Sequence, residues 1–157
     1  MFTQQDYSNL IDSKKNQVFL FKSMASFPFI FAVHPWFVLN KQGEISRWEV
    51  AFSDSYPKKE HWGHLYKNLY PFFQGIEFLP FANRFFNKGK LIGVVEGDEA
   101  SKIIDFIYNS PITYNNKNEY KFIGPNSNTY AQWVISNSPD CKLKLPNNAY
   151  GKNYKNE

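Results

Sequence analysis

Cysteine occurs once in the 157 residues, as Cys141, so no internal disulfide can form. Long apolar runs are also missing. The most hydrophobic stretch, Phe27 to Leu39, is broken by Pro28, His34 and Pro35 and falls short of the ~20 residues a helical membrane span requires. The opening residues Met1-Phe2-Thr3-Gln4-Gln5-Asp6 contain no basic region followed by an apolar core, which reads as no classical export signal and a cytoplasmic protein. Excess charge of one sign is small: the formal net charge is +4, and the lysines are scattered apart from Lys142, Lys144, Lys152 and Lys155. With no aromatic-basic constellation, this argues against nucleic acid as a partner. His61 and His64 lack a Cys, Asp or further His at ligand spacing, so no metal and no cofactor is expected.

What the chain does have is apolar mass. Hydrophobic residues make up 43% and aromatic residues 19%, including 16 Phe and 10 Tyr, enough for one domain over 1–157 with a single sizeable core. Residues 1–16 are polar and read as a loose arm or a short helix around Tyr7 to Ile11; residues 155–157 are expected to fray.

The pattern predicts an α+β fold, an antiparallel sheet packed with a few helices. Gln17 to Lys22, Phe29 to Leu39 and Glu44 to Phe52 read as strands, the last two joined by the turn residues Asn40-Lys41-Gln42-Gly43. An even loop there pairs Leu39 with Glu44, Trp36 with Arg47 and His34 with Glu49, which groups the polar residues on one face. A three-residue loop would move Glu49 to the other face. Between Trp62 and Phe86 the aromatics, broken by Pro71, Gly75 and Pro80, suit short helices and loops. They form either a second core wall or a lid or groove for an acyl chain or peptide. Leu91 to Glu96 reads as a strand, 98–109 as an amphipathic helix capped by Asp98 and ended by Ser110-Pro111, and Glu119 to Ile123 as a short strand.

The stretch Gly124-Pro125-Asn126-Ser127-Asn128-Thr129-Tyr130 combines a turn with a helix start. Asn126, Ser127 and Asn128 are all residue types that cap a first helical turn, and Tyr130, Ala131, Val134 and Ile135 are spaced to share a buried face before Asn137-Ser138-Pro139 stops the run. A hydroxyl at a helix start sits beside unpaired N–H groups and the positive end of the dipole, which would stabilise an oxyanion. Two readings of Ser127 follow: a helix cap, or a nucleophile. Cys141 sits in a loop with no helix start behind it, so nothing in the sequence would lower its pKa.

These residues carry a resemblance. The Gly124 to Tyr130 stretch, the ending Leu145-Pro146 with Ala149-Tyr150-Gly151-Lys152-Asn153-Tyr154, and the strands holding His34, Trp36 and Trp48-Glu49-Val50 resemble a bacterial family of uncharacterised proteins, domain-of-unknown-function family 3750. More distantly, the order of motifs is similar to that of the permuted papain-like superfamily, which includes lecithin-retinol acyltransferase-like enzymes and several peptidases. That resemblance implies a circularly permuted papain-like fold, Ser127 as nucleophile in the place of a cysteine, His34 as base and Glu49 as its orienter. Trp36, Arg47, Asn126 and Asn128 would lie in the cleft, and the substrate would be a small-molecule, lipid or peptide acyl compound.

The expected function is a serine-based hydrolase or acyltransferase on an ester, thioester or amide. The alternatives are a catalytically inactive binding domain on the same fold and an envelope-associated interaction protein that uses the basic tail.

Overall fold

A computed structural model describes residues 7–52, 58–79 and 85–155. Eight strands are described: β1 (Asn16–Met24), β2 (Val33–Lys41), β3 (Glu44–Val50), β4 (His61–Trp62), β5 (Leu65–Lys67), β6 (Gln74–Glu77), β7 (Phe86–Lys88) and β8 (Lys90–Glu96). Helices α1 (Asp98–Tyr108), α2 (Ser110–Thr113) and α3 (Ser127–Ser136) follow. Six strands form an antiparallel sheet in the order β4-β5-β3-β2-β1-β8, and β6 pairs with β7 in a second sheet. The α+β class expected from the sequence is the one found.

Period-two alternation explains why β1 and β2 are apolar along both faces. Val18, Leu20, Phe37 and Leu39 point into a core closed by Ala100, Ile103, Ile104 and Ile107 of α1 and by Tyr130, Ala131 and Val134 of α3. Phe19, Phe21, Trp36 and Val38 point the other way, into a second core with Tyr7 and Phe73. Tyr7 is therefore no part of a loose arm: its ring meets Phe21 edge-on at 5.0 Å, and its hydroxyl donates to the Gly89 carbonyl at 3.2 Å. Residues 1–6 of the expected arm lie outside the described residues, as do 53–57, 80–84 and 156–157.

The hairpin between β2 and β3 corrects the expected register. Lys41 pairs with Glu44, and the loop is the two residues Gln42 and Gly43, with φ of 51° and 97°. Two central residues at positive φ make the turn whose twist matches a hairpin, and glycine takes the second position without strain. Val38 now faces Arg47 and Phe37 faces Trp48, a slip of two from the pairing read in the sequence. A slip of two preserves the face of every side chain, so His34, Arg47 and Glu49 still share one.

Other boundaries move as well. Phe29 to Ala32 form a turn before β2 rather than its first residues, and Glu119 to Ile123 are turn and coil rather than a strand. The segment after Trp62 builds short strands instead of short helices. Asp98 starts α1 but does not cap it, since Gly97 occupies the cap position. Pro111 does not end the helical path, because α2 accepts Pro near its start, where a missing N–H is tolerated.

Candidate functional site

Helix α3 begins with a reciprocal cap. Asn126 is extended, and its Oδ1 accepts from the backbone N–H of Asn128 at 2.9 Å and of Thr129 at 3.3 Å, while Thr129 Oγ1 accepts from Asn126 N at 3.0 Å. This overturns the reading of Ser127 as the cap. Ser127 is the first helical residue, buried, and the capping carboxamide leaves its N–H without an intrahelical acceptor.

The helix start is bolted to two distant segments. Asn126 Nδ2 donates to Phe122 O at 2.7 Å and Tyr150 O at 3.1 Å, and Thr129 Oγ1 donates to Gly151 O at 2.8 Å. Gly151 has φ +92°, and a Cβ there would meet the Asn126 side chain at 2.5–2.9 Å, so only glycine lets the tail approach this closely. Asn128 Nδ2 donates to Tyr150 O at 2.9 Å and to Val33 O at 3.0 Å, the carbonyl immediately before His34. Asn126 and Asn128 thus brace the site with their amides.

A cavity of about 420 Å3 opens where α3 meets the start of β2. His34, Ser127, Asn126 and Asn128 all line it, as does Tyr120. Its remaining wall is mostly apolar, with Phe27, Phe29, Phe52 and Phe122 prominent, and among the described residues no Asp, Glu, Lys or Arg lines it. The structure brings the expected histidine and serine to one cavity; among the described residues no hydrogen bond joins them.

Behind His34 stands a buried charge network. His34 Nε2 lies 2.6 Å from Glu49 Oε2, and Arg47 holds both carboxylate oxygens, Nε to Oε1 at 2.5 Å and Nη2 to Oε2 at 2.9 Å. Arg47 Nη1 donates to the carbonyls of Pro71 at 2.7 Å and Gln74 at 2.5 Å, and its guanidinium lies 4.2 Å from the Trp36 ring centroid. Trp36 Nε1 in turn donates to Phe72 O at 2.8 Å. Arg47 and Trp36 are therefore not on the cavity wall: they are buried and fix the 71–74 segment and the carboxylate.

Burial alone would raise the Glu49 pKa. The Arg47 charge and then the His34 hydrogen bond overcome it and hold the carboxyl below the usual glutamate range. An ionised carboxylate only accepts, so His34 donates from Nε2; in the neutral imidazole the lone pair is then on Nδ1.

Tyr120 is the residue that sequence reading missed. Burial pushes its phenol above the usual tyrosine range; the nearby Ser127 side chain opposes the shift and the Glu49 charge adds to it. It stays protonated at neutral pH and can donate beside Ser127. No local signal in Glu119 to Ile123 marked it, because its role comes from the return of the chain to the start of α3.

The other candidates lie elsewhere. His61 Nδ1 bonds Gly63 O at 2.8 Å, and His64 Nδ1 bonds Ala51 O at 3.2 Å. Burial raises the Cys141 thiol pKa, which leaves it a poor nucleophile.

No curated protein and no solved structure matches this chain. Among protein families, the one described as "Protein of unknown function (DUF3750)" matches residues 15–154, which takes in β1 through α3 and the tail that clamps the helix start. The chain belongs to the DUF3750 family.

Proposed function

We propose that this protein is a serine-dependent hydrolase or acyltransferase acting on an ester, thioester or amide, with its groups disposed as in the permuted papain-like enzymes. The observation that carries the reading is that His34 and Ser127 wall one cavity while Glu49 engages Nε2 of the imidazole and leaves Nδ1 without a side-chain partner among the described residues. Ser127 Oγ attacks the acyl carbon as His34 Nδ1 takes its proton; the carbonyl π pair moves to oxygen. Ser127 N–H and the Tyr120 hydroxyl are the donors available to that oxyanion. When the tetrahedral adduct collapses, the bond to the leaving group breaks and the imidazolium returns the proton to it. Water or a second nucleophile then releases the acyl group by the same steps in reverse. Glu49 holds the tautomer throughout, and Arg47 keeps Glu49 ionised.

A fluorophosphonate probe tests this. Labelling of the wild type that is lost in Ser127→Ala and in His34→Ala is the expected result; a folded wild type that never labels overturns it.

One observation favours a second reading, a binding domain without catalysis. Among the described residues Ser127 and His34 share no hydrogen bond, and the Ser127 side chain acts on the Tyr120 phenol instead. In that case Ser127→Ala leaves ligand binding unchanged and the wild type stays unlabelled.

A further inference from the structure

The mouth of the cavity continues outward as apolar surface. Phe29 stacks on Phe122 at 4.5 Å, Phe31 meets Phe122 and Tyr150 edge-on at 5.9 Å each, and all four rings remain well exposed. Phe31 is 55% exposed and the neighbouring Ile123 75%. Contiguous apolar surface of this kind marks an interaction site rather than a random scatter of hydrophobic residues. Phe29, Phe122 and Tyr150 belong both to this rim and to the cavity wall, so one apolar path runs from solvent to Ser127.

The chemistry of that path selects the occupant. Residues 23–33 contain no charged side chain, and no Asp, Glu, Lys or Arg among the described residues lines the cavity, so a charged peptide or metabolite meets no counter-charge inside. An uncharged alkyl chain meets mostly apolar wall, with the polar groups gathered around His34 and the start of α3. Tyr150 is of the aromatic type that settles at the headgroup boundary of a bilayer, and the Phe29, Phe31 and Phe122 rings offer apolar surface to the acyl region beneath it. The net charge of +4 favours an anionic surface, and Lys121 and Lys152 flank the rim in sequence, the former within 3.2 Å of Glu119.

We infer that the rim formed by Phe29, Phe31, Phe122, Ile123 and Tyr150 docks on an anionic lipid bilayer and admits a lipid acyl chain to the cavity. Docking rests on the rim alone, whereas the use of the chain as a substrate rests on the serine reading above.

Flotation with phosphatidylcholine vesicles, with and without phosphatidylglycerol, tests it. The wild type and Ser127→Ala are expected to float with the anionic vesicles to the same extent. Phe31→Ser and Ile123→Ser, both at exposed positions and checked for unchanged thermal unfolding, are each expected to weaken binding about tenfold. A wild type that floats with neither vesicle overturns the docking while leaving fluorophosphonate labelling untouched as a test of the serine. Flotation that survives both substitutions overturns this face as the contact. A wild type that ignores vesicles but runs as a dimer, and turns monomeric in Phe31→Ser, overturns the bilayer in favour of a second copy of the chain. A soluble protein partner lost on the same substitution, again without flotation, does likewise.

Discussion

His34 Nε2 and Glu49 Oε2 meet at 2.6 Å although their residues are not direct cross-strand partners. In the observed register the position opposite His34 is two residues beyond Glu49. The pair is a diagonal one, at the reach of a long carboxylate side chain aimed by Arg47.

That geometry makes stability depend on acid. The Glu49 carboxyl is held below its ordinary value of 4.5, so the unfolded chain binds the proton more readily than the folded one. The stabilising contribution is whole above about pH 4.5 and drains away as the pH falls through the lower folded value. Urea midpoints measured from pH 7 to pH 3 should fall more steeply for the wild type below that point than for Glu49→Gln, which should already be weaker at pH 7. Parallel curves would contradict the assignment.

Arg47→Met should be among the most damaging single changes in the chain. It leaves the Glu49 carboxylate buried with only His34 and frees the Pro71 and Gln74 carbonyls, for a loss of about 3–5 kcal/mol. The double variant Arg47→Met, Glu49→Leu should recover much of that loss, because the orphaned charge is gone. Additive losses in a double-mutant cycle would argue that the two residues act separately.

Asn126 and Ser127 are adjacent and should behave oppositely. Asn126→Ala removes the cap of α3 and the ties to Phe122 and Tyr150, a loss of about 1–2 kcal/mol or more. Ser127→Ala deletes no cap bond and should change the unfolding midpoint far less. Equal losses in chemical denaturation would return Ser127 to a structural role.

Ser127→Cys should create a reactive thiol. At a helix start, in a cavity shared with an imidazole, a cysteine is expected to ionise below the ordinary thiol value and to alkylate with iodoacetamide faster than Cys141, whose pKa is raised by burial. Adding His34→Ala should slow the reaction at residue 127 by tenfold or more, on the order of the contribution of a positioned base. A rate indifferent to His34 would mean that the two side chains do not cooperate.

The elements that depend on local chemistry were legible in the sequence. β-branched and aromatic residues announced β1, the spacing of Ile103, Ile104 and Ile107 announced α1, and the asparagine-rich turn announced α3. The shared face of His34 and Glu49 was also legible, because any even loop preserves it. The register was not: it depends on Gln42 accepting φ of 51°, a conformation nothing in a glutamine advertises. Phe29 to Ala32 looked like strand because their partners, Phe122 and Tyr150, lie far along the chain. Tyr120 was hidden for the same reason: its importance comes from where the chain returns.

The clamp from Tyr150 and Gly151 onto Asn126, Asn128 and Thr129 has a consequence for synthesis. A chain cut after residue 148 contains the imidazole, the carboxylate and the hydroxyl, yet lacks the Tyr150 and Gly151 carbonyls that hold Asn126, Asn128 and Thr129. The cavity therefore needs the last residues of the matched region to be synthesised and released, and an interrupted chain carries every reactive group without the carbonyls that hold them in place.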